Sequence, residues 1–498
     1  MVVANPIYFI AIPLLAAFLL PLLGKLYKPL IRFVPGIIFA FFVYISVVLL
    51  LQVQNGEPVI TLIAGWEAPW GINLVFSPFS GFIVTLINVL AFLIWLYSYK
   101  FKKVVYDDAL KYFILLMLIV AGTSGIVLTG DIFNMFVFLE ITAISSYSLT
   151  AFYRGRDGAE AAFKFLLIGA FASTLILLAI LILYTQVGTL NIAEIAARMS
   201  TVDPTMKAVI LILFFVGFGI EAEMFPMNGW VPDAYSQAPA PVAAVFASMV
   251  AKAGIYALVR VIYMMFDLEG AYNLLLIMGV ITMVVAEVVA MRQENLRRML
   301  AFSSIGQMGL IMLAFSFHTY AGVFAGIFLM FNHAVIKSLL FLSTGYLVYH
   351  SKTKKISGLD GFAKKMPFVA LMFGLGAFAI VGLPPFSGFW SKLYLLMAAA
   401  DDNMIMLIAL VLSVSVIEIV YYFKVMSRLY FRKAHTDIPV QKPNLNGIIA
   451  MSVLGILVVA VGVYPDLITH FIETAANALM DKTEYINNVL PGITELVN

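Results

Sequence analysis

Residues 217–226 read Gly-Phe-Gly-Ile-Glu-Ala-Glu-Met-Phe-Pro, and residues 382–388 read Gly-Leu-Pro-Pro-Phe-Ser-Gly. Each segment interrupts a long apolar stretch that has the length of a membrane-spanning helix. Proline removes a backbone hydrogen-bond donor and clashes with the preceding turn, so each helix should break or bend there. A single proline is commonly a packing kink, whereas a matched pair, each close to a charge, favours a functional repeat. We therefore predict two proline-broken membrane helices.

The composition of the whole chain indicates that lipid is its solvent. Of the 498 residues, 63% are apolar and 11% are charged, whereas a soluble domain has about 25% charged residues. The formal net charge is +3, and no basic run suggests a nucleic-acid partner. The chain has no cysteine, which excludes disulfides, iron–sulfur clusters and thiolate metal sites.

The apolar runs predict an all-α polytopic membrane protein. A bilayer core of about 30 Å needs roughly 20 apolar residues in a helix, and this rule gives about fourteen spans. The first run lacks a small-residue cleavage site, so we interpret it as a membrane helix and not as a signal peptide. The approximate limits are 5–24, 29–52, 76–98, 109–129, 131–153, 160–186, 206–226, 240–262, 269–291, 297–317, 319–349, 367–396, 404–432 and 446–468.

The loop charges test this count independently. Basic residues follow the odd-numbered spans, for example Arg156, Arg297 and Lys354. The connections between them carry mostly acids, and Arg198 and Arg260 are minor exceptions. Because cytoplasmic loops carry an excess of Lys and Arg, we predict a multi-pass protein of the plasma membrane with both termini on the external side.

The two broken spans also predict the domain organisation. Five spans separate them, which is typical of two five-helix units related by an inverted repeat, with the ion site at the broken helices. No loop is long enough to hold a catalytic domain, so we do not expect the chain to be catalytic on its own. The predicted units are helices 1–3 in 1–105, the first repeat in 106–262, the second in 263–435, and helix 14 with an amphipathic tail in 436–498.

Acidic residues lie inside or beside two of the early spans. A charged side chain at a helix centre costs roughly 2.5–3.5 kcal/mol and by default marks a function. Glu140 lies near the middle of the fifth span, and Glu221 and Glu223 precede Pro226 on the seventh. Backbone groups freed by a helix break can coordinate a cation together with such acids. The alternatives are a hydrogen-bonded structural carboxyl for Glu140 and a hydrated vestibule for Glu223.

Two lysines and a histidine lie deep in later spans. Lys252 is too far along the eighth span to reach the interface, and a buried lysine can release and regain its proton as nearby charges change. His333 and Lys337 are four residues apart on the eleventh span and therefore share a helix face. A lone buried histidine is more often structural, but histidine titrates in the physiological range, which suits a proton relay.

The last candidates follow the second break. Lys392 comes after the prolines of the twelfth span, although a helix-end lysine that reaches the interface is an alternative. Glu418 on the thirteenth span has apolar neighbours, and its role is open between functional and structural. The adjacent Tyr421 and Tyr422 could be interfacial aromatic residues.

These groups are distributed over successive helices and do not form one cluster. We expect Glu287 and Arg292, which lie close to a helix end, to be solvated. A distributed series of acids, lysines and a histidine fits proton or cation transfer better than a hydrolytic or redox centre. No catalytic triad, dinucleotide-binding motif or metal-ligand spacing is present, so we expect no cofactor and no resident metal.

Four motifs carry a family resemblance. The motifs are 130–140 (Gly-Asp-Ile-Phe-Asn-Met-Phe-Val-Phe-Leu-Glu) followed by Ser145-Ser146-Tyr147, 296–307 (Leu-Arg-Arg-Met-Leu-Ala-Phe-Ser-Ser-Ile-Gly-Gln), 332–342 (Asn-His-Ala-Val-Ile-Lys-Ser-Leu-Leu-Phe-Leu) and 382–389 (Gly-Leu-Pro-Pro-Phe-Ser-Gly-Phe). They run in order within residues 75–430 and resemble the antiporter-like, proton- or sodium-translocating subunits of Mrp antiporters, membrane-bound hydrogenases and respiratory complex I. The resemblance implies fourteen helices with two inverted repeats.

The resemblance also implies roles for particular residues. In this family a fifth-helix glutamate works with a seventh-helix lysine, a central lysine, a histidine, and a twelfth-helix lysine or glutamate. Glu140, Lys252, His333 and Lys392 match four of these positions. At the seventh-helix position this chain has Glu221 in place of lysine.

That substitution changes the expected chemistry. Two acids, Glu140 and Glu221, would repel each other unless they share a proton or a cation lies between them. We therefore expect either a shared proton or a sodium ion near this pair. The acid-rich variant is similar to subunits of archaeal membrane-bound hydrogenases and related sulfur-reducing complexes.

The predicted function is ion translocation within a larger membrane complex. The partners implied are other membrane subunits, with hydrogenase-like and iron–sulfur subunits if a redox module drives transport. A counter-ion gradient, as in an Mrp Na+/H+ antiporter, is the other driving force. Two alternatives stay open: a stand-alone secondary transporter of a small solute, and a structural membrane arm that does not transport.

Overall fold

A computed structural model describes residues 4–55, 57–67, 70–100, 108–266, 268–433 and 442–490. Thirteen helices in this part are long and apolar enough to cross a membrane. We number the helices by the predicted span that each forms. The bounds are α1 Tyr8–Leu26, α2 Leu30–Gln52, α3 Pro78–Ser98, α4 Ala109–Leu128, α5 Ile132–Thr150, α6 Arg156–Val187, α7 Pro204–Glu221, α8 Ala240–Phe266, α9 Glu269–Arg292, α10 Leu296–Ser316, α11 Tyr320–Ser351, α12 Pro367–Val381, α13 Ile405–Phe431 and α14 Leu445–Val463.

The two predicted helix breaks are present. Helix α7 ends at Glu221, and its second half resumes as Trp230–Gln237. Helix α12 ends before Gly382, which has a φ of 91°, and its second half is Ser387–Asp401. A positive φ favours glycine because it has no Cβ. Since α12 and its second half are each too short to cross alone, they account together for the predicted twelfth span.

Several short elements complete the described fold. A two-stranded antiparallel sheet, which the sequence analysis did not predict, joins α2 to α3 by pairing β1 (Val59–Leu62) with β2 (Asn73–Phe76). The amphipathic tail forms α15 (Asp466–Met480) and α16 (Lys482–Val489). The short helices are Ile192–Arg198 and Phe362–Lys365, and the 3-10 turns are Val53–Asn55, Ile63–Gly65, Met199–Thr201 and Ile356–Leu359.

The structure describes only one of the three predicted domain boundaries. The boundaries at 105/106 and 435/436 lie outside the described residues. The boundary at 262/263 falls in the last turn of α8. The relation of the two five-helix units as an inverted repeat stays a prediction.

The centre of the bundle is formed by α8, α10 and α11. The most apolar stretches of α8 and α11 are completely buried, and that of α10 is 89% buried, whereas only 28% of the corresponding stretch of α13 is buried. Helix α11 packs against α8, against both halves of α12, and against α14 and α15. Polar side chains on α8 and α11 therefore depend on other protein groups for hydrogen bonds.

Helix α8 is irregular in its middle. Residues Phe246–Val250 form a π-helical turn, and a second π-helical turn covers Val261–Phe266. Such turns are rare in proteins, and those that occur are often found at functional sites. The first π-helical turn comes just before Lys252. It changes the direction in which the Lys252 side chain leaves α8, compared with a regular α-helix.

A glycine on α8 allows close contact with the break in α7. A Cβ on Gly254 would lie 2.6 Å from the carbonyl oxygen of Glu221 and 2.7 Å from its carbonyl carbon. Real Cβ atoms do not approach backbone so closely, so the two helices could not pack in this way around a larger residue.

We predict that Gly254→Ala destabilises the folded subunit by about 1–3 kcal/mol, because the added methyl group overpacks this contact. Thermal unfolding of the purified subunit in detergent measures the change. Gly229→Ala is the matched control, since a Cβ at Gly229 meets no atom within 4 Å. Equal unfolding temperatures for the two variants would contradict the prediction.

Candidate ion-translocation site

The break in α7 places a carboxylate in the centre of the bundle. Glu223 has no exposed surface and adopts a φ of 63° between the two halves of the helix. Its Oε1 accepts a hydrogen bond from the Tyr235 hydroxyl of the second half. Ser304 of α10 lies beside the same carboxylate. The break thus directs Glu223 inward, towards α10.

A lysine and a histidine meet next to this carboxylate. The Nζ of Lys252 lies 2.5 Å from Nδ1 of His333, and Nε2 of His333 lies 3.1 Å from the Ser304 hydroxyl. Lys252 also donates to the Ala247 carbonyl at 3.3 Å. Lys252 and His333 are both buried, and the histidine joins Lys252 to Ser304, the serine beside Glu223.

Lys337 continues the series one helical turn further along α11. Its Nζ donates to the Ser303 hydroxyl at 2.7 Å and to the Tyr422 hydroxyl of α13 at 3.3 Å. The Ser303 and Tyr422 hydroxyls are 3.1 Å apart. As predicted from their spacing, His333 and Lys337 lie on one helix face, but they contact different serines of α10.

A buried ion pair lies beside the break in α12. The Nζ of Lys392 is 2.5 Å from Oε2 of Glu418, and Gln307 donates to Oε1 of Glu418 at 2.9 Å. Lys392 also donates at 2.9 Å to the Val381 carbonyl, which the break leaves without a helical partner. Lys392 is therefore not an interfacial lysine, and Glu418 has both a counter-ion and a hydrogen-bond donor.

The remaining predicted residues lie between α5, α6 and α7. Ser173 of α6 donates a hydrogen bond to Glu140, which is partly exposed. Glu221 is 7% exposed, and no hydrogen bond to its carboxylate occurs within the described ranges. The charges of Glu140 and Glu221 interact, and Tyr147 interacts with both of them.

The prediction that Glu287 is solvated is wrong. Glu287 is 1% exposed, and its carboxylate accepts a hydrogen bond of 2.8 Å from Tyr421. A Cβ on Gly306 would lie 2.1 Å from Oε1 of Glu287, so glycine at this position of α10 makes room for the carboxylate. Arg292, by contrast, is exposed, as predicted. Nearness to a helix end was a misleading signal because α13 covers this part of α9.

The interpretation of the two tyrosines as interfacial is also wrong. Tyr421 and Tyr422 are 1% and 2% exposed, and both bind groups of the buried series. Sequence reasoning also missed several uncharged members, because serine, glutamine and tyrosine carry no special signal in a membrane helix. These are Ser173, Tyr235, Ser303, Ser304 and Gln307.

The described side chains form three polar groups. The first is Glu140 with Glu221, the second holds Glu223 together with the two lysines and the histidine of α8 and α11, and the third contains Glu287, Lys392 and Glu418. Their members are titratable side chains, with serine, glutamine and tyrosine side chains between several of them. Within the described residues, no set of three or more His, Cys, Asp or Glu side chains could hold a metal ion.

Comparison with known proteins places the chain in a family. A family model described as NADH:quinone oxidoreductase/Mrp antiporter, TM, matches residues 129–418, which is more than half of the chain. The chain belongs to this family. The match includes every predicted site residue from Glu140 to Glu418. The chain is thus an antiporter-like membrane subunit.

Relatives of this antiporter-like subunit cover nearly its whole length. NADH-quinone oxidoreductase subunit N of Desulforudis audaxviator (strain MP104C) is 33% identical over 435 residues, which is 86% of each chain. A chain of the membrane-bound sulfane sulfur reductase, an archaeal respiratory membrane complex, is 38% identical with a TM-score of 0.92 and covers 98% of this chain and 100% of its own. A chain of the Mrp complex from Dietzia sp. DQ12-45-1b is 27% identical with a TM-score of 0.90. It covers 98% of this chain and 100% of its own.

The ion pair of this antiporter-like subunit allows a test of stability apart from transport. Lys392→Met should destabilise the fold by about 3–5 kcal/mol, because it leaves the Glu418 carboxylate buried without its counter-ion. The double variant Lys392→Met with Glu418→Gln should recover most of the lost stability, because it leaves no uncompensated buried charge. Thermal unfolding in detergent measures both variants.

Lys424→Met is the matched control for this experiment. Lys424 is an exposed lysine on α13, the helix that carries Glu418, so its removal should leave the unfolding temperature unchanged. An equal loss in the single and double variants at Lys392 would show that the pair is not the source of the stability.

Proposed function

We propose that this subunit translocates protons through its three buried polar groups, as one membrane subunit of a complex driven by a redox partner. The observation that carries the proposal is the series of titratable side chains in the middle of the bundle. Each such residue costs insertion free energy, and intramembrane ionisable residues are by default functional. A purely structural membrane arm would have no use for so many of them.

The first polar group suggests which ions are involved. Glu221 is the last residue of α7, where the negative end of the helix dipole already disfavours a carboxylate. Glu140 adds a second negative charge nearby. A proton shared by the two acids, or a sodium ion bound between them, removes this repulsion. This is our reason for including sodium as a second transported or regulatory ion.

The relatives support a redox-driven complex. The solved chain with 38% identity comes from an archaeal respiratory complex that is described as a sulfane sulfur reductase, and a curated relative is a subunit of an NADH-quinone oxidoreductase. The expected partners are further membrane subunits together with hydrogenase-like or other iron–sulfur subunits. An Mrp-type Na+/H+ antiporter is the second candidate, which the chain of the Dietzia Mrp complex and the acid pair favour.

We further propose that both termini lie on the external side of the plasma membrane. The support is the positive charge of the loops after α5, α9 and α11, since such loops are retained in the cytoplasm. The same orientation places the amphipathic helices α15 and α16 outside. A stand-alone solute transporter would need the same topology, so topology alone does not separate that alternative.

The first experiment is gentle purification of the native complex, with its subunits identified by mass spectrometry. Iron–sulfur and hydrogenase-like subunits would support the redox-driven proposal. Small Mrp-type membrane subunits alone would instead favour the gradient-driven antiporter. A chain that purifies without partners would contradict both proposals and favour the solute transporter.

We predict that Lys252→Met and Lys252→Arg both abolish ion translocation while the complex still assembles. Methionine removes the proton-carrying group, and arginine keeps its proton at every physiological pH. The measurement is proton uptake or release by the reconstituted complex during turnover, with a pH-sensitive dye. Normal translocation by Lys252→Arg would show that Lys252 supplies charge only and does not transfer a proton.

We predict that Glu221→Gln also abolishes ion coupling, because it removes one member of the acid pair that holds the proton or sodium. Glu160→Gln is the control, since Glu160 is an exposed acid on α6. The same assay is repeated with and without sodium. A sodium effect that is present in the native protein and absent in Glu221→Gln would assign sodium to this pair, and unchanged coupling in Glu221→Gln would overturn the acid-pair mechanism.

A further inference from the structure

A cavity outside the three polar groups opens at the membrane face that carries the basic loops. Its volume is about 360 Å³. Its walls come from the turn after α5, the start of α6, the end of the second half of α7, the start of α10, and the end of α11 with the loop that follows it. No residue of the proposed translocation path lines it, so that path does not explain it.

The charge of this cavity is predominantly positive. Arg156, Arg297 and Lys354 line it, and Asp157 is the single carboxylate among the lining residues. The Nζ of Lys354 donates to Gln237 at 2.8 Å across one side of the cavity. Three cations against one acid favour an anionic occupant.

The start of α6 adds a second source of positive potential. Helix α6 has 32 residues and begins after Gly155, which supplies no side-chain cap. The backbone N–H groups of the first turn of a helix have no partner within the helix, and they bind anions well. A Cβ on Gly155 would meet nothing within 4 Å, so this end of the helix is open to a ligand.

Arg297 is the strongest sign of a missing partner. It is only 7% exposed, and its Nη1 donates to the carbonyls of Ala238 at 3.0 Å and Ser236 at 3.5 Å. Its Nε has no hydrogen-bond partner, and no carboxylate within the described ranges pairs with its charge. A buried guanidinium is normally paired with an anion, because an uncompensated buried charge is costly.

We propose that this cavity binds a phosphate group, carried either by the headgroup of an acidic phospholipid or by free inorganic phosphate. The guanidinium groups of Arg156 and Arg297 suit the tetrahedral oxygens of phosphate, Lys354 adds a point charge, and the first turn of α6 donates N–H groups. Because Arg297 also binds the carbonyls that follow Tyr235, the phosphate group anchors the end of the second half of α7.

The test uses the complete complex, purified in detergent and depleted of lipid. One arm measures retention of phosphatidylglycerol against phosphatidylcholine by native mass spectrometry after incorporation into nanodiscs. The other arm titrates inorganic phosphate and follows the unfolding temperature of this subunit. Preferential retention of phosphatidylglycerol assigns the site to a lipid headgroup, and a phosphate-dependent rise in unfolding temperature assigns it to the free ion.

The variants make the assignment specific. Arg156→Gln should weaken binding about tenfold, which corresponds to the loss of one charge-assisted hydrogen bond. Arg156 is exposed, and its side chain makes no hydrogen bond or ion pair within the described ranges, so we expect Arg156→Gln to fold normally. Arg297→Gln, by contrast, also removes donors to the backbone. Arg292→Gln is the control, because Arg292 is an exposed arginine at the end of α9, next to the start of α10.

Three results would overturn the proposal. The first is that neither probe binds the native complex. The second is that Arg156→Gln binds as tightly as Arg292→Gln. The third is a structure of the complex in which a partner's carboxylate fills the cavity.

Discussion

The cost of burying ionisable groups away from water is the constraint on which the rest of this structure depends. Each such group at the centre of a membrane helix costs roughly 2.5–3.5 kcal/mol, and this bundle holds many of them. The cost is acceptable because nearly every group has a partner, such as Glu418 for Lys392 or Ser303 for Lys337. The partners come from different helices, so each such contact fixes one helix against another.

The two broken helices differ in how this cost is met. In α12 the break frees the Val381 carbonyl, and the cation Lys392 binds it. In α7 the corresponding helix end carries an acid, Glu221, beside a second acid, and the dipole of the helix end disfavours it. One break is therefore electrostatically satisfied within the described chain, and the other needs a proton or cation. This difference is the physical reason for proposing ion coupling at the first polar group.

Helix α10 connects these features although it carries none of the predicted translocating residues. Ser304 contacts the histidine, Ser303 contacts a lysine, and Gln307 contacts Glu418. Its first turn supplies Arg297, which holds the end of the second half of α7 at the basic face. Through these contacts, α10 couples the geometry of the second and third polar groups to that of the α7 break.

The sequence by itself determined the membrane class, the number of spans and both breaks, and it named most of the charged residues of the candidate site. These follow from hydrophobicity, helix length and the chemistry of proline, which are local properties of the chain. Only the tertiary structure decided which groups are neighbours, and it moved Glu287, Tyr421 and Tyr422 from the predicted surface to the interior. The reason is that burial depends on which helix covers a given face, and no local pattern of residues records that contact.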